Sequence, residues 1–183
     1  GHSGAYDVYK ELVALTESKT TNLQVDKHIY FSKEIVDNLW PANLKFVQQG
    51  PDLGERMRNA FTTGFEKGYD KIVLIGSDLP ELNETLIEKA FSKLENSDVV
   101  FGPAEDGGYY LLGMKKLIPD IFNDKPWSQQ HLLQVTLSEL QQGNYNIATL
   151  QPLNDIDTYE DLINSKFYRS NVSLQEKIQQ IHD

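Results

Sequence analysis

The sequence contains no cysteine and no excess of basic residues, and each absence excludes a class of protein. Without cysteine, the chain has neither a disulfide framework nor a thiolate metal site. Lysine and arginine total 17 against 27 aspartates and glutamates, which gives a formal net charge of −10. Because binding to a phosphate backbone requires a basic surface, no nucleic-acid partner is expected.

Long apolar runs are also absent from the sequence. No segment approaches the ~20 apolar residues of a membrane-spanning helix, and the first residues lack the pattern of a signal peptide. The histidines are scattered, so no zinc site is expected from His2, His28, His131 or His182. A length of 183 residues with 39% hydrophobic content predicts a single soluble domain over residues 1–183, compatible with the reducing cytoplasm.

The spacing of apolar residues alternates between helical and extended patterns. Strands are predicted at 27–32, 44–48, 71–75, 97–101, 109–114 and 145–150. Helices are predicted at 6–15, after N-caps at Asp52 and Asn83, after an N-cap at Ser128 as far as Gln142, from Thr158, and after Lys166. This alternation predicts an α/β layer sandwich built on a mainly parallel sheet.

The segment IVLIGSDLP, residues 72–80, is the most informative in the chain. Its continuous apolar run is typical of a strand buried on both faces in the interior of a parallel sheet. Asp78 follows the run, and ligands of open α/β sheets bind at the carboxyl ends of strands. The alternative is a turn aspartate that accepts hydrogen bonds from nearby backbone N–H groups before Pro80.

Two further acidic segments follow predicted strands. In FGPAEDGGYYLLG, residues 101–113, Asp106 precedes two glycines that allow positive φ or a close approach to a ligand. Asp-Gly is equally a signal for a hairpin turn. In NDIDTYEDL, residues 154–162, the spacing of Asp157 and Glu160 predicts a capping box. Asp155 is then left in the loop before the helix.

Five motifs now carry a family resemblance. They are QQGPDLGERMRNAF at 48–61, GSDLP at 76–80, AEDGGYYLLG at 104–113, Trp127-Ser128 before a leucine-rich helix, and DIDTYEDL at 155–162. In this order they resemble the DUF2064 family over nearly the whole chain. That family is similar to nucleotide-diphospho-sugar transferases of the glycosyltransferase-A fold, and to nucleotidyltransferases that act on the molybdenum cofactor and coenzyme F420.

The resemblance implies a three-layer α/β sandwich and a metal-dependent transferase that uses a nucleotide-activated donor and an unidentified acceptor. It implies that Asp78 and Asp155 bind Mg²⁺ or Mn²⁺ and that Asp106 acts in catalysis. Contacts with the nucleotide are implied for Asp52, Gly54, Arg56, Ser77, Gly107 and Gly108. The segment from Asp52 to Arg56 equally suits a simple capped helix, and Trp127 suits either the wall of an acceptor pocket or the core.

Three functions are left open by the sequence. Glycosyl transfer from a nucleotide-diphospho-sugar is preferred, with nucleotidyl transfer and a non-catalytic nucleotide-binding module as alternatives. The family also begins with a strand and a glycine-rich, basic loop, and residues 1–10 resemble the segment after that loop. The resemblance therefore predicts roughly 20 further residues upstream, enough for one strand and its loop.

Overall fold

A computed structural model describes residues 2–182, which contain seven α-helices, one 3₁₀ helix (Pro119–Ile121) and six strands. The helices are α1 (His2–Lys19), α2 (Leu53–Glu66), α3 (Glu84–Lys93), α4 (Leu132–Gln142), α5 (Tyr159–Asn164), α6 (Lys166–Ser170) and α7 (Val172–His182). The strands are β1 (His28–Phe31), β2 (Leu44–Val47), β3 (Ile72–Ile75), β4 (Val99–Pro103), β5 (Tyr109–Met114) and β6 (Ile147–Thr149). No helix within 2–182 has the length and apolar character needed to cross a membrane.

The strands form two sheets. Strands β1 and β2 pair in parallel, and the other four have the order β3-β5-β4-β6. Strand β5 is antiparallel to both of its neighbours, whereas β4 and β6 are parallel, so β3, β4 and β6 share one direction. The expectation of an α/β fold with a mainly parallel mixed sheet is confirmed.

Alternate residues of the four-stranded sheet enter two separate cores. Val100 and Leu111 pack on one face with Ile87 and Ala90 of α3. On the opposite face, buried side chains from β4 and β5 pack with residues of α2 and α4, including Phe61, Phe101, Leu112, Met114 and Leu140. Because helices cover both faces, the predicted three-layer sandwich is confirmed.

Strand β3 does not lie where its apolar sequence predicts. It is the end strand of the four-stranded sheet, and its four residues are only half-buried. The prediction of an interior position is therefore wrong for these residues. The free edge of β3 borders a cavity of about 1110 Å³, and β1 borders the same cavity.

Most predicted helix starts are confirmed by hydrogen bonds. Asp52 Oδ1 accepts from Glu55 N at 2.9 Å, and Asn83 Oδ1 accepts from Leu86 N at 3.0 Å. The prediction that Ser128 caps α4 is wrong, because that helix begins only after His131. Ser128 instead has a φ of 60°, which ends any helical path at that position.

Candidate functional site

Backbone hydrogen bonds bring three acidic loops together at the carboxyl end of β3. Beyond β6 the chain continues beside β4, where Leu153 N donates to Pro103 O at 3.1 Å and Glu105 N donates to Leu153 O at 3.0 Å. It then reaches the loop after β3, where Ile156 N donates to Asp78 O at 3.1 Å. The segment 150–156 therefore joins the loops that carry Asp78 and Asp106.

Three carboxylates meet at this junction. Asp106, Asp155 and Asp157 each offer a carboxylate oxygen, and these three atoms lie within 4.8 Å of one another. Asp106 and Asp157 are exposed, whereas Asp155 is half-buried. We call these three residues the acidic cluster. Such a set of hard oxygen donors is of the type that Mg²⁺ and Mn²⁺ prefer.

Asp78 lies beside the acidic cluster. Its carboxylate folds back over Gly76, where Oδ1 is 2.6 Å from the position that a Cβ would occupy. Burial raises the pKa of the Asp78 carboxyl, and the nearby charges of Asp157 and Asp106 raise it further. Asp78 is therefore close enough to the cluster to interact with it electrostatically.

The charges of the cluster are not balanced by basic side chains. Burial, followed by the charge of Asp106, raises the pKa of Asp155 to about 6. Within the described part of the chain, no ion pair involves Asp78 or any member of the cluster. A bound divalent cation would offset this repulsion, so the donor set fits the predicted metal.

The glycines after Asp106 shape the loop that carries it. Gly108 N donates to Asp106 Oδ1 at 2.8 Å, and Gly107 has a φ of 94°. A Cβ on Gly107 would lie 1.8 Å from the carbonyl oxygen of Gln130, just before α4. Gly107 O also accepts from Leu133 N at 3.0 Å. Gly107 therefore permits close packing of the acidic loop on α4, and nucleotide contacts of Gly107 and Gly108 stay a prediction.

The role predicted for Asp157 as a helix cap is wrong. Thr158 is the N-cap of α5, and its Oγ1 accepts from Asp161 N at 3.1 Å. Asp161 Oδ2 accepts from Thr158 N at 2.8 Å, which completes the capping box. Both spacings, Asp157–Glu160 and Thr158–Asp161, are present in the sequence one residue apart. Had the capping box been assigned to Thr158 and Asp161, the side chain of Asp157 would have been left for the site.

The residues predicted to contact the nucleotide at the start of α2 have structural partners. Asp52 caps the helix, and Arg56 Nε donates to Gly50 O at 3.0 Å. Gly54 lies under Trp127, since a Cβ there would be 2.4 Å from the indole ring. Trp127 packs against the core that α2 and α4 share. Contacts of Asp52, Gly54 and Arg56 with a nucleotide stay a prediction.

Ser77 lies between β3 and Asp78. Its carbonyl oxygen accepts a hydrogen bond from Thr16 Oγ1 at 3.4 Å, which links the loop to α1. Ser77, Asp78, Asp155 and Arg56 all line the cavity beside β3. This cavity therefore connects the acidic residues with the start of α2.

Comparison with known proteins agrees with this fold. The chain superimposes with a TM-score of 0.83 on a protein of Desulfovibrio desulfuricans G20 that carries a provisional assignment as a nucleotide-diphospho-sugar transferase. The two are 32% identical, and the match covers 97% of this chain and 84% of the other. No curated protein matches the sequence.

More distant structures share the fold alone. A 4-diphosphocytidyl-2C-methyl-D-erythritol synthase of Anaerococcus prevotii DSM 20548 has a TM-score of 0.66 at 13% identity, covering 87% of this chain and 86% of its own. A cytidylyltransferase of Thermus thermophilus has a TM-score of 0.56 at 10% identity, with coverages of 83% and 85%. At 13% and 10% identity, these two structures show that the chain has the same fold.

A match to a family profile identifies the family of this protein. Residues 14–129 match the profile of a family described as an uncharacterized protein conserved in bacteria, DUF2064. The motifs of the loops after β3 and β4 lie within this range. The chain, with its acidic cluster at the carboxyl ends of strands, belongs to the DUF2064 family.

Proposed function

We propose that this protein is a metal-dependent transferase that uses a nucleotide-activated donor, and that it transfers a glycosyl group from a nucleotide-diphospho-sugar. The convergence of Asp106, Asp155 and Asp157 within 4.8 Å supports this most directly. The cluster lies at the carboxyl ends of strands, which is the usual position of ligands in open α/β sheets. The 32% identity to the Desulfovibrio protein supports the same class of donor.

The acidic cluster would hold Mg²⁺ or Mn²⁺. Asp155 keeps the role of metal ligand predicted from the sequence, and Asp157 joins it because its side chain is not used as a cap. Asp78 would support the ion from beside the cluster, either directly or through water. When bound, the ion would neutralise charge on the phosphates of the donor.

In this arrangement Asp106 can contact both the metal ion and an acceptor. It is exposed, and its Oδ1 is fixed by Gly108 N at 2.8 Å. The other carboxylate oxygen can face an acceptor. A carboxylate at that position can accept a hydrogen bond from an acceptor hydroxyl and orient it toward the donor, or take up its proton. Asp106 is therefore proposed as the catalytic residue and as a neighbour of the ion.

Nucleotidyl transfer is the second candidate. It is supported by the similarity of the fold to cytidylyltransferases at TM-scores of 0.66 and 0.56. Both reactions need a cation near the phosphates, but they release different products. Glycosyl transfer releases a nucleoside diphosphate, whereas nucleotidyl transfer from a triphosphate releases pyrophosphate.

The products distinguish these functions. The protein is incubated with Mn²⁺, a panel of nucleotide-diphospho-sugars and a panel of hydroxyl-bearing acceptors, and separately with nucleoside triphosphates and sugar phosphates. We expect nucleoside diphosphate from the first panel and a loss of this product in Asp155→Asn. Pyrophosphate from the second panel alone would favour nucleotidyl transfer. Metal-dependent nucleotide binding without either product would favour a binding module and contradict the proposed enzyme.

A further inference from the structure

A small hydrophobic core lies beside the acidic cluster and is separate from the two cores of the sheet. Leu162 of α5 and Leu174 and Ile178 of α7 are buried in it, and residues of α6 pack against it. Ile156 packs against the same core from the segment before α5. We call this group the α5–α7 core. Ile156 therefore links the last three helices to the segment that carries two members of the acidic cluster.

Ile156 lies between two carboxylates in the chain, but its side chain has different surroundings from theirs. The carboxylate oxygens of Asp155 and Asp157 lie within 4.8 Å of each other and of Asp106. The side chain between them, that of Ile156, packs in the α5–α7 core, as alternating side chains of an extended segment do. The N–H of Ile156 donates to Asp78 O at 3.1 Å. Ile156 is therefore held by its backbone on the loop after β3 and by its side chain on three helices.

The α5–α7 core is also attached to α1. Val8 of α1 packs against it, and Lys177 Nζ of α7 forms an ion pair with Glu11 Oε1 of α1 at 3.0 Å. Because both partners of this ion pair are exposed, the apolar contacts contribute more to the attachment. Helix α1 in turn contacts the loop after β3 through the hydroxyl of Thr16. The core that holds the segment before α5 is thus itself fixed on a long helix of the fold.

The acidic cluster needs such a restraint because its charges repel one another. Three carboxylate oxygens within 4.8 Å of one another favour separation of the chain segments that carry them. Among the residues that the structure describes, no lysine or arginine forms an ion pair with Asp155 or Asp157. Burial of an apolar side chain between the two aspartates opposes this separation without adding a charge to the site.

We propose that α5, α6 and α7 are a positioning element for the metal site and that they act through the side chain of Ile156. Its packing keeps Asp155 and Asp157 near Asp106 before an ion binds, so the ion meets ligands that are already ordered. The proposal rests on the metal site of the proposed function and adds that helices without a ligand of their own control its affinity. Because coupling between two sites is reciprocal, a bound ion also stabilises the packing of α7.

Two fully buried leucines give a matched pair of variants. Leu174→Ala removes volume from the α5–α7 core, on a helix that contributes no member of the acidic cluster. Leu94→Ala removes the same atoms from the core under α3, where Leu94 ends the helix before the amino end of β4. We expect the Mn²⁺ affinity to fall at least about fivefold in Leu174→Ala and less than about twofold in Leu94→Ala. Leu174→Met nearly keeps the volume and should bind Mn²⁺ as the wild type does.

Hydrogen exchange in EDTA tests the positioning without any metal. The Ile156 amide should exchange at least about tenfold faster in Leu174→Ala than in the wild type, and Leu94→Ala should show a much smaller increase. If Leu174→Ala does not fold, Ile156→Val removes one methylene from the same contact and should speed exchange of the amide at this position. The reciprocal effect is measured in the wild type, where saturating Mn²⁺ should slow exchange of the Ile178 amide in α7 at least about fivefold.

Two results would overturn the positioning role. One is equal exchange of the Ile156 amide in the wild type and in folded Leu174→Ala. The other is a Mn²⁺ affinity that falls no more in Leu174→Ala than in Leu94→Ala, which would leave α5–α7 with a purely structural role. A wild type that does not bind Mn²⁺ would instead contradict the metal site of the proposed function. In that case the exchange of the Ile156 amide in EDTA would still decide whether α5–α7 position the acidic cluster.

Discussion

Ile156 donates its backbone N–H to the carbonyl oxygen of Asp78 at 3.1 Å. The residues on either side of Ile156 are Asp155 and Asp157, so this one bond fixes two members of the acidic cluster next to the loop after β3. A backbone bond holds this position whatever the charge on the side chains. Substitution of Asp155 or Asp157 by asparagine therefore removes a carboxylate without removing the backbone contact that brings the loops together.

The first prediction concerns Asp155. Replacement by asparagine keeps the shape of the side chain but removes its charge, and a neutral amide is a poorer ligand for a hard cation. We expect the affinity for Mn²⁺ to fall by at least about 10–100-fold, the loss found when even a residue that only supports a metal ligand is changed. Isothermal titration with Mn²⁺ measures this directly. Unchanged affinity in Asp155→Asn would exclude Asp155 as a ligand.

The second prediction separates Asp157 from Asp161. Asp161→Ala breaks the capping box with Thr158, so we expect it to lower the free energy of unfolding by about 1 kcal/mol and to leave Mn²⁺ affinity nearly unchanged. Asp157→Asn should have the opposite effects, weaker Mn²⁺ binding with little loss of stability. Urea unfolding and Mn²⁺ titration of both variants provide the test. The reverse pattern would return the capping role to Asp157.

The third prediction concerns pH. The pKa of Asp155 is raised to about 6 from 3.8. The carboxyl group of Asp155 therefore binds its proton more tightly in the folded state than in the unfolded state. The protonated carboxyl group of Asp155 contributes its full share to the stability of the fold below about pH 4, and this contribution is lost as the pH rises through about 6. Burial and nearby carboxylates raise the pKa of Asp78 in the same direction.

Comparison with a variant isolates this contribution. In metal-free buffer, Asp155→Asn should melt at a higher temperature than the wild type near pH 7, and the difference should vanish near pH 4. Thermal melts across this range, with EDTA present, measure the difference while the titrations of other groups cancel. Adding Mn²⁺ near pH 7 should raise the melting temperature of the wild type more than that of the variant. A difference that does not change with pH would contradict the raised pKa.

Part of this architecture could be predicted from the sequence because it depends on local patterns. The N-caps Asp52 and Asn83 and the strand preceding Asp78 are set by residues close to each other in the chain. The error at Asp157 arose because two capping boxes overlap by one residue, and only the geometry of α5 selects Thr158. The edge position of β3 could not be predicted either. A run of apolar residues indicates that both faces of the strand are covered, but it does not indicate how many strands pair with it.

The fourth prediction concerns Gly107, which holds the loop of Asp106 against the start of α4. Gly107→Ala would combine an unfavourable φ of 94° with a Cβ 1.8 Å from the Gln130 carbonyl oxygen, so the loop must move away from α4. Gly68→Ala is a matched control, because Gly68 has a φ of 91° and an added Cβ there would have nothing within 4 Å. The control should lose only about 1–2 kcal/mol from the strained backbone.

We expect Gly107→Ala to lose more stability than Gly68→Ala and, unlike the control, to weaken Mn²⁺ binding, because Asp106 moves with its loop away from Asp155 and Asp157. Urea unfolding gives the two free energies, and Mn²⁺ titration of each folded variant gives the two affinities. If Gly107→Ala loses stability but binds Mn²⁺ as the wild type does, the position of Asp106 does not control the metal site, and Asp155 and Asp157 would have to hold the ion without it.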